Sequence, residues 1–248
     1  MKERKESLKT ALITGGSRGL GLACAIELSR RGHRIVLAAR GESALASALG
    51  RLEGDGHCSV AWDLADCSQH ESFVEKVSQS GPIDVTVHAL GGSLHCGDAR
   101  LSHQKWQEVF QLNLFSLVSL NSFLVTSMES KGWGRIIHLS SSAAVHGRAS
   151  APYASAKAAL NRYVSSLGRD LAKAGVGICA VMPAAVEGEG NYWSRVMESD
   201  LSRANRASEA QVIGRFQTPE EIAKLVGLLC SEEGIAFAGS IISADGSI

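Results

Sequence analysis

The stretch TALITGGSRGLGLACAIELSRR, residues 10–31, decides the fold. Thr10 to Thr14 is a short apolar run of the kind that forms a buried strand. A glycine-rich turn follows, and then an amphipathic helix from Leu20 to Arg31. Strand, glycine turn and helix together open a βαβ unit that is expected to bind phosphate at the helix N-terminus, an ordinary glycine-rich turn being the plain alternative. Gly15 allows the tight turn, and Gly19 and Gly21 are expected to let the backbone approach a pyrophosphate. Ser17, Arg18 and Leu20 belong to the same candidate cofactor-binding turn. The spacing is G-x-x-x-G-x-G rather than the G-x-G-x-x-G of the dinucleotide fingerprint.

Outward from that stretch, apolar runs and helical patterns alternate. Strands are expected at 34–39, 57–62, 84–90, 134–139, 177–182 and 240–244. Helices are expected at 42–52, 68–79, 102–128, from Tyr153 to about Lys173, and at 219–230, the last capped by Thr218. The segment 187–217 is polar and shows no strand period, so it reads as a substrate loop. No Pro/Ser-rich linker or repeat interrupts the order. The expectation is an α/β fold: one Rossmann-type domain over residues 1–248, with a doubly wound parallel sheet of about seven strands flanked by helices. Ligands bind at the carboxyl ends of such strands. Gly15, Arg40, Asp63, Gly91, Ser141 and Pro183 all fall there.

The second strand ends at Ala39-Arg40. An acid at this point would take the 2′-hydroxyl of NAD, whereas an arginine suits the 2′-phosphate of NADP. Arg40, with Arg18 from the glycine turn, therefore indicates NADP(H). A solvated loop arginine is the plain alternative.

The chain has 248 residues, with 25 basic and 25 acidic side chains. Zero net charge and scattered Lys and Arg indicate no nucleic-acid partner. The six cysteines form no Cys-x-x-Cys pair and no zinc spacing, so no metal site is expected. The charged start MKERKESLKT lacks the apolar core of a signal peptide, and no run of 18 apolar residues is present. A cytoplasmic protein that does not engage membrane is the expectation.

Tyr153-Ala-Ser-Ala-Lys157 places a phenol and an ammonium one helical turn apart on one face. A phenol of reference pKa about 10 is a poor acid–base at neutral pH, and a neighbouring cation favours its phenolate. The pair is thus a candidate general acid–base for an alcohol oxygen. Alone, Tyr-x-x-x-Lys arises often by chance.

With TGGSRGLG (14–21), Asp63, the Asn113 helix, Ser141, Tyr153-x-x-x-Lys157 and GRFQTPEEIA (214–223) in this order, the chain resembles the short-chain dehydrogenase/reductase family. The likeness runs from about Leu8 to Gly246 and is strongest to the 3-oxoacyl carrier-protein reductase type. The resemblance implies that Tyr153 donates the proton to a carbonyl oxygen. Lys157 would bind the nicotinamide ribose and lower the Tyr153 pKa, Ser141 would hydrogen-bond the substrate oxygen, and Asn113 would support a water relay. Asp63 would contact the adenine with the Leu64 backbone beside it. Leu64, Gly91, Pro183 and Val186 complete the implied cofactor contacts. A homo-oligomer, dimer or tetramer, built on the helices at 102–128 and 153–173 is also implied. The chain departs from the family pattern at His88-Ala89-Leu90-Gly91, where Asn-Asn-Ala-Gly is usual, and at Pro183-Ala184, where Pro-Gly is usual. It departs again near Gly188, where a Thr is usual, and at Asp245-Gly246-Ser247. His95, His146, Arg148 and Trp193 are candidates for lining a polar substrate pocket.

The expected activity is NADP-dependent hydride transfer between nicotinamide and a small carbonyl or secondary alcohol substrate, free or carrier-bound. Two rivals remain. One is a catalytically idle NADP-binding sensor or scaffold, motivated by the departures. The other is a sugar epimerase or dehydratase, for whose larger substrate domain the chain leaves little room.

Overall fold

The computed structural model describes residues 8–79, 81–94, 100–146, 149–188 and 191–245. Seven strands form one sheet: β1 (Thr10–Thr14), β2 (Arg34–Ala39), β3 (Cys58–Ala61), β4 (Val85–His88), β5 (Gly134–Leu139), β6 (Val176–Pro183) and β7 (Ile241–Ala244). Every pairing is parallel, in the order β3-β2-β1-β4-β5-β6-β7. The order reverses direction between β1 and β4, the switch point where open α/β sheets bind ligands. Most of the sheet is covered on both faces, so β1, β4, β5 and β6 are buried throughout.

On one face lie α1 (Gly19–Arg30), α2 (Glu42–Leu49) and, far along the chain, α9 (Pro219–Leu229). Their apolar sides close over Ile13, Leu37, Val87 and Val181. On the other face lie α3 (His70–Ser78), α4 (His103–Phe110), α5 (Ser116–Lys131) and α6 (Ala151–Leu171). Of these, α3, α5 and α6 close over Leu12, Val36, Ile136 and Ile178, while α4 packs through Val109 on Ala156 of α6. By length and composition the continuous helix His103–Lys131 could cross a membrane. Here Leu117, Leu120 and Leu124 pack into the second core instead.

Boundaries follow local chemistry. Thr218 accepts from the Glu221 N–H and Glu221 reaches back to the Thr218 N–H, a complete capping box. Pro152 sits in the first turn of α6, where its missing N–H costs nothing. The stretch 187–217, read as a polar substrate loop, is partly helical. It holds two short helices, α7 (Tyr192–Ser199) and α8 (Leu201–Glu209), capped by Asn191 and Asp200. Between α4 and α5 the helix makes one π turn, Gln111–Phe115, with Asn113 at its centre. Such turns are rare and occur frequently at functional sites.

Candidate active site

The glycine turn leaves β1 and is tied to the neighbouring strand: the Gly15 N–H donates to the Ala38 carbonyl at 2.8 Å. Gly15 has φ +70°, and a Cβ there would lie 2.8 Å from the Ala89 oxygen. Gly19 has φ +55° and faces open space, which leaves the N-terminus of α1 accessible. Gly21 acts differently from the expectation. Its missing Cβ faces the Gly15 carbonyl at 2.3 Å and the Ala89 side chain at 3.0 Å. It lets the helix pack on its own turn rather than opening the backbone to a ligand.

Arg18 is the residue before the first turn of α1, and Arg40 follows β2 two residues beyond Ala38. The bond from Gly15 to Ala38 ties the turn that leads to Arg18 to the strand that leads to Arg40. Both are exposed, and neither makes an ion pair among the described residues. Asp63, at the end of β3, is exposed and accepts from the Ala65 N–H at 3.1 Å. Leu64 is buried, and its carbonyl accepts from His70 Nε2 at 3.1 Å. An open groove of about 420 Å³ runs past Ser17, Arg18, Gly19, Arg51 and Gly188, so the start of the 187–217 segment overhangs the glycine turn. Leu20 is half-buried against the first core. A helix N-terminus, a bare glycine and two guanidinium groups fit a nucleotide diphosphate bearing a further phosphate.

At the other end of the strand tips, β5 delivers Leu139, Ser140 and Ser141. The Ser140 hydroxyl donates to Asn161 Oδ1 at 2.6 Å and is buried. The Ser141 hydroxyl instead bonds the Tyr153 phenol and accepts from the Ala143 N–H at 3.2 Å. Burial pushes the Tyr153 pKa up, and only the Ser141 hydroxyl counters it. Lysine does not supply the lowering expected from sequence. Lys157 Nζ lies 5.8 Å from the Tyr153 ring centre and donates to the Leu139 carbonyl at 2.8 Å. Lys157 is itself buried, which pulls its pKa down to about 8.

Asn113 is fully buried. Its amide brackets one residue: Oδ1 accepts from the Gly92 N–H at 3.0 Å and Nδ2 donates to the Gly92 carbonyl at 2.8 Å. Nδ2 also donates to the Val109 carbonyl at 2.8 Å. A Cβ on Gly91 would stand 2.8 Å from Asn113 Oδ1 and 3.2 Å from Lys157 Nζ. Gly91, Asn113 and Lys157 therefore meet, and Ser141 and Tyr153 meet beside them.

Pro183 ends β6, paired with Ala244. Val186 is buried and forms an isolated parallel bridge with Gln217. His88 is a core residue. It contacts Thr14 Oγ1 at 3.3 Å and Asn121 Oδ1 at 2.9 Å, and burial lowers its pKa to about 4. Of the pocket candidates, His146 lies 3.5 Å from the Asp245 carboxylate, at the end of β7. Trp193 packs on Phe216, ring centres 4.9 Å apart, within the 187–217 segment. His95 and Arg148 lie outside the described residues, as do Gly246 and Ser247. Sequence reading missed Asn121, His138 and Gln217, whose partners all come from distant segments. No metal-binding group occurs among the described residues.

The short chain dehydrogenase family model matches residues 9–196. A 3-oxoacyl-(acyl-carrier-protein) reductase of Mycobacterium avium is 31% identical over 242 residues, 97% of this chain and 89% of that protein. The corresponding reductase of Escherichia coli (strain K12) is 30% identical over 97% of both chains. Among solved structures, L-sorbose reductase from Gluconobacter frateurii, complexed with NADPH and L-sorbose, superposes with a TM-score of 0.90 at 29% identity. That match covers 97% of this chain and 96% of the other. With its glycine turn at the switch point and Ser141, Tyr153 and Lys157 gathered at the tips of β4 and β5, the chain belongs to the short-chain dehydrogenase/reductase family.

Proposed function

We propose that the protein is an NADP(H)-dependent oxidoreductase that interconverts a carbonyl and a secondary alcohol. The observation that carries this reading is the pairing of Ser141 with the Tyr153 phenol, with Lys157 one helical turn along and bonded to the Leu139 carbonyl. When bound, the cofactor supplies or accepts a hydride at the carbonyl carbon. The remaining chemistry belongs to the chain. Ser141 donates a hydrogen bond to the substrate oxygen and orients it beside Tyr153. Tyr153 gives its proton to that oxygen in reduction and recovers it in oxidation. Lys157 brings a positive charge into an enclosed site, held in place by Leu139. Asn113 fixes the Gly91–Gly92 backbone against which the ammonium lies, and its place in the π turn supports the relay role implied for it. Arg18 and Arg40 bind the 2′-phosphate, Gly15, Ser17, Gly19 and Leu20 line the pyrophosphate turn, and Asp63 and Leu64 flank the adenine. In the bridge to Gln217, the Val186 N–H points away from its partner strand, where it can meet the nicotinamide end alongside Pro183. The relative crystallised with NADPH supports the same cofactor here.

The test is turnover of NADPH with a panel of ketones, free and carrier-bound, by wild type and Tyr153→Phe. Wild type should turn over, and the variant should bind NADPH but lose roughly 10²- to 10⁴-fold in kcat. Tight NADPH binding with no turnover of any carbonyl would establish the idle-sensor alternative instead.

A further inference from the structure

The chain leaves β6 at Pro183 and crosses the site before entering α7. Ala184 stands where the family has glycine, and Gly188 near where it has threonine. This crossing therefore lacks two of its usual supports. Side chains from further along the chain hold it, Gln217 foremost. Gln217 Oε1 accepts from the Ala184 N–H at 3.0 Å, and Gln217 Nε2 donates to the Ala244 carbonyl at the end of β7. Its backbone adds two more bonds: the Gln217 N–H donates to the Ala185 carbonyl at 3.0 Å, and the Glu187 N–H donates to the Gln217 carbonyl at 2.9 Å. From the other side, Asn191 Nδ2 donates to the Val186 carbonyl at 2.8 Å. Residues 184 to 187 are thus held on two sides and anchored to the sheet through Ala244.

Building on the reading of this site as NADP(H)-binding, we infer that Gln217 is a positioning residue for the nicotinamide end of the cofactor. It touches neither cofactor nor substrate. Its carboxamide braces the Ala184–Glu187 backbone along which the nicotinamide lies, and without it that backbone keeps its main-chain bonds but loses the side-chain link from Ala184 to Ala244. The arginine corner sits at the opposite end of the cofactor and is independent of Gln217. The consequence is selective: loss of Gln217 weakens the grip on the nicotinamide and leaves the grip on the phosphorylated adenosine intact.

The experiment measures equilibrium dissociation constants by titration calorimetry for two probes. One is NADPH. The other is 2′-phospho-ADP-ribose, which keeps the adenosine, 2′-phosphate and pyrophosphate but lacks the nicotinamide. The variants are Gln217→Leu, which removes both carboxamide bonds, and Gln217→Glu, which keeps an acceptor for the Ala184 N–H. Gln217→Leu should weaken NADPH about tenfold, as expected for one or two net hydrogen bonds, and leave 2′-phospho-ADP-ribose within twofold. Gln217→Glu should fall between wild type and Gln217→Leu for NADPH. An equal loss for both probes, or no loss for either, overturns the inference while the cofactor assignment stands. If Gln217→Leu does not fold, a Gln217→Glu variant with unchanged NADPH affinity overturns it alone. A wild type that binds neither probe overturns the site reading and this inference together.

Discussion

The imidazoles of His88 and His138 lie face to face in the core, ring centres 4.7 Å apart and 22° from parallel. They are register partners on adjacent strands β4 and β5, and Asn121 bridges them. Asn121 Nδ2 also donates to the Tyr163 hydroxyl at 3.1 Å. Both rings are fully buried, so both are held neutral. His88 falls from the ordinary 6.5 to about 4. His138 falls well below the ordinary value through burial first, then through His88 and Lys157.

The unfolded chain binds protons at these two sites more readily than the folded chain does. Their contribution to stability is complete above pH 6.5. The His88 part is lost as pH falls from 6.5 toward about 4 and levels off below that, and the His138 part is lost in the same direction as pH falls below 6.5. For His88 alone the linkage is about 3 kcal/mol. Urea midpoints at pH 7.5, 5.5 and 4.5 should fall steeply for wild type and less steeply for His88→Asn. Parallel curves for the two proteins would remove His88 from this account.

Gly91 has φ +155° and no room for a methyl group between Asn113 and Lys157. Gly91→Ala should displace Lys157 by a few tenths of an ångström or more while leaving the buried strand β4 in place. Small misplacements of catalytic groups cost up to about 10²-fold, so kcat should drop on the order of 10- to 100-fold. Steady-state kinetics with circular dichroism as the fold control checks this. Unchanged kcat in a folded variant would contradict the packing described.

NADPH should be preferred over NADH. A charge-assisted hydrogen bond contributes about 1.5–3 kcal/mol, so Arg40→Ala should cost on the order of 10- to 100-fold in NADPH affinity. NADH affinity should hardly move, because the bare ribose needs no cation. Arg18→Ala should act in the same direction. The ratio of kcat/KM values for the two cofactors is the readout, and a ratio untouched by both variants refutes the assignment of this corner.

Phe115 and Phe123 remain 49% and 37% exposed on the helix between His103 and Lys131. A homo-oligomer built on this helix, as the family resemblance implies, would bury them. Light scattering at micromolar concentration should report a dimer or tetramer, and Phe115→Asp combined with Phe123→Asp should shift it toward monomer. A monomeric wild type would rule the surface out.

The sheet was legible because a covered parallel strand is a nearly unbroken apolar run. TALIT, RIVLAA and GRIIHL begin and end in the structure where their composition changes. The α7 and α8 helices were not legible. Each is only about two turns long and depends on side-chain caps at Asn191 and Asp200, so the apolar positions of α7 (Tyr192, Trp193, Val196 and Met197) make too short a run to announce a helix. Nor was the π turn, since QLNLF holds no glycine or proline to mark a break. The Tyr153–Lys157 pair was visible as a spacing. Its electrostatics were not, because they depend on burial and on Ser141, which another element supplies. The partnership of His88 with His138 exists only through strand register, and the role of Gln217 only through Ala184, Glu187 and Ala244, all far from it in sequence.

The bridge between Val186 and Gln217 has a use for protein engineering. It brings the two ends of the intervening segment together before α7 and α8 begin. Closing a loop costs only about 0.6 kcal/mol more for each doubling of its length, and here the ends are already joined. The segment is therefore an exchangeable cassette. Donor sequences of other lengths can be grafted between Asn191 and Gln217, which keeps the Asn191 bond to Val186, while Ser141, Tyr153 and Lys157 keep their places beyond β5 and on α6.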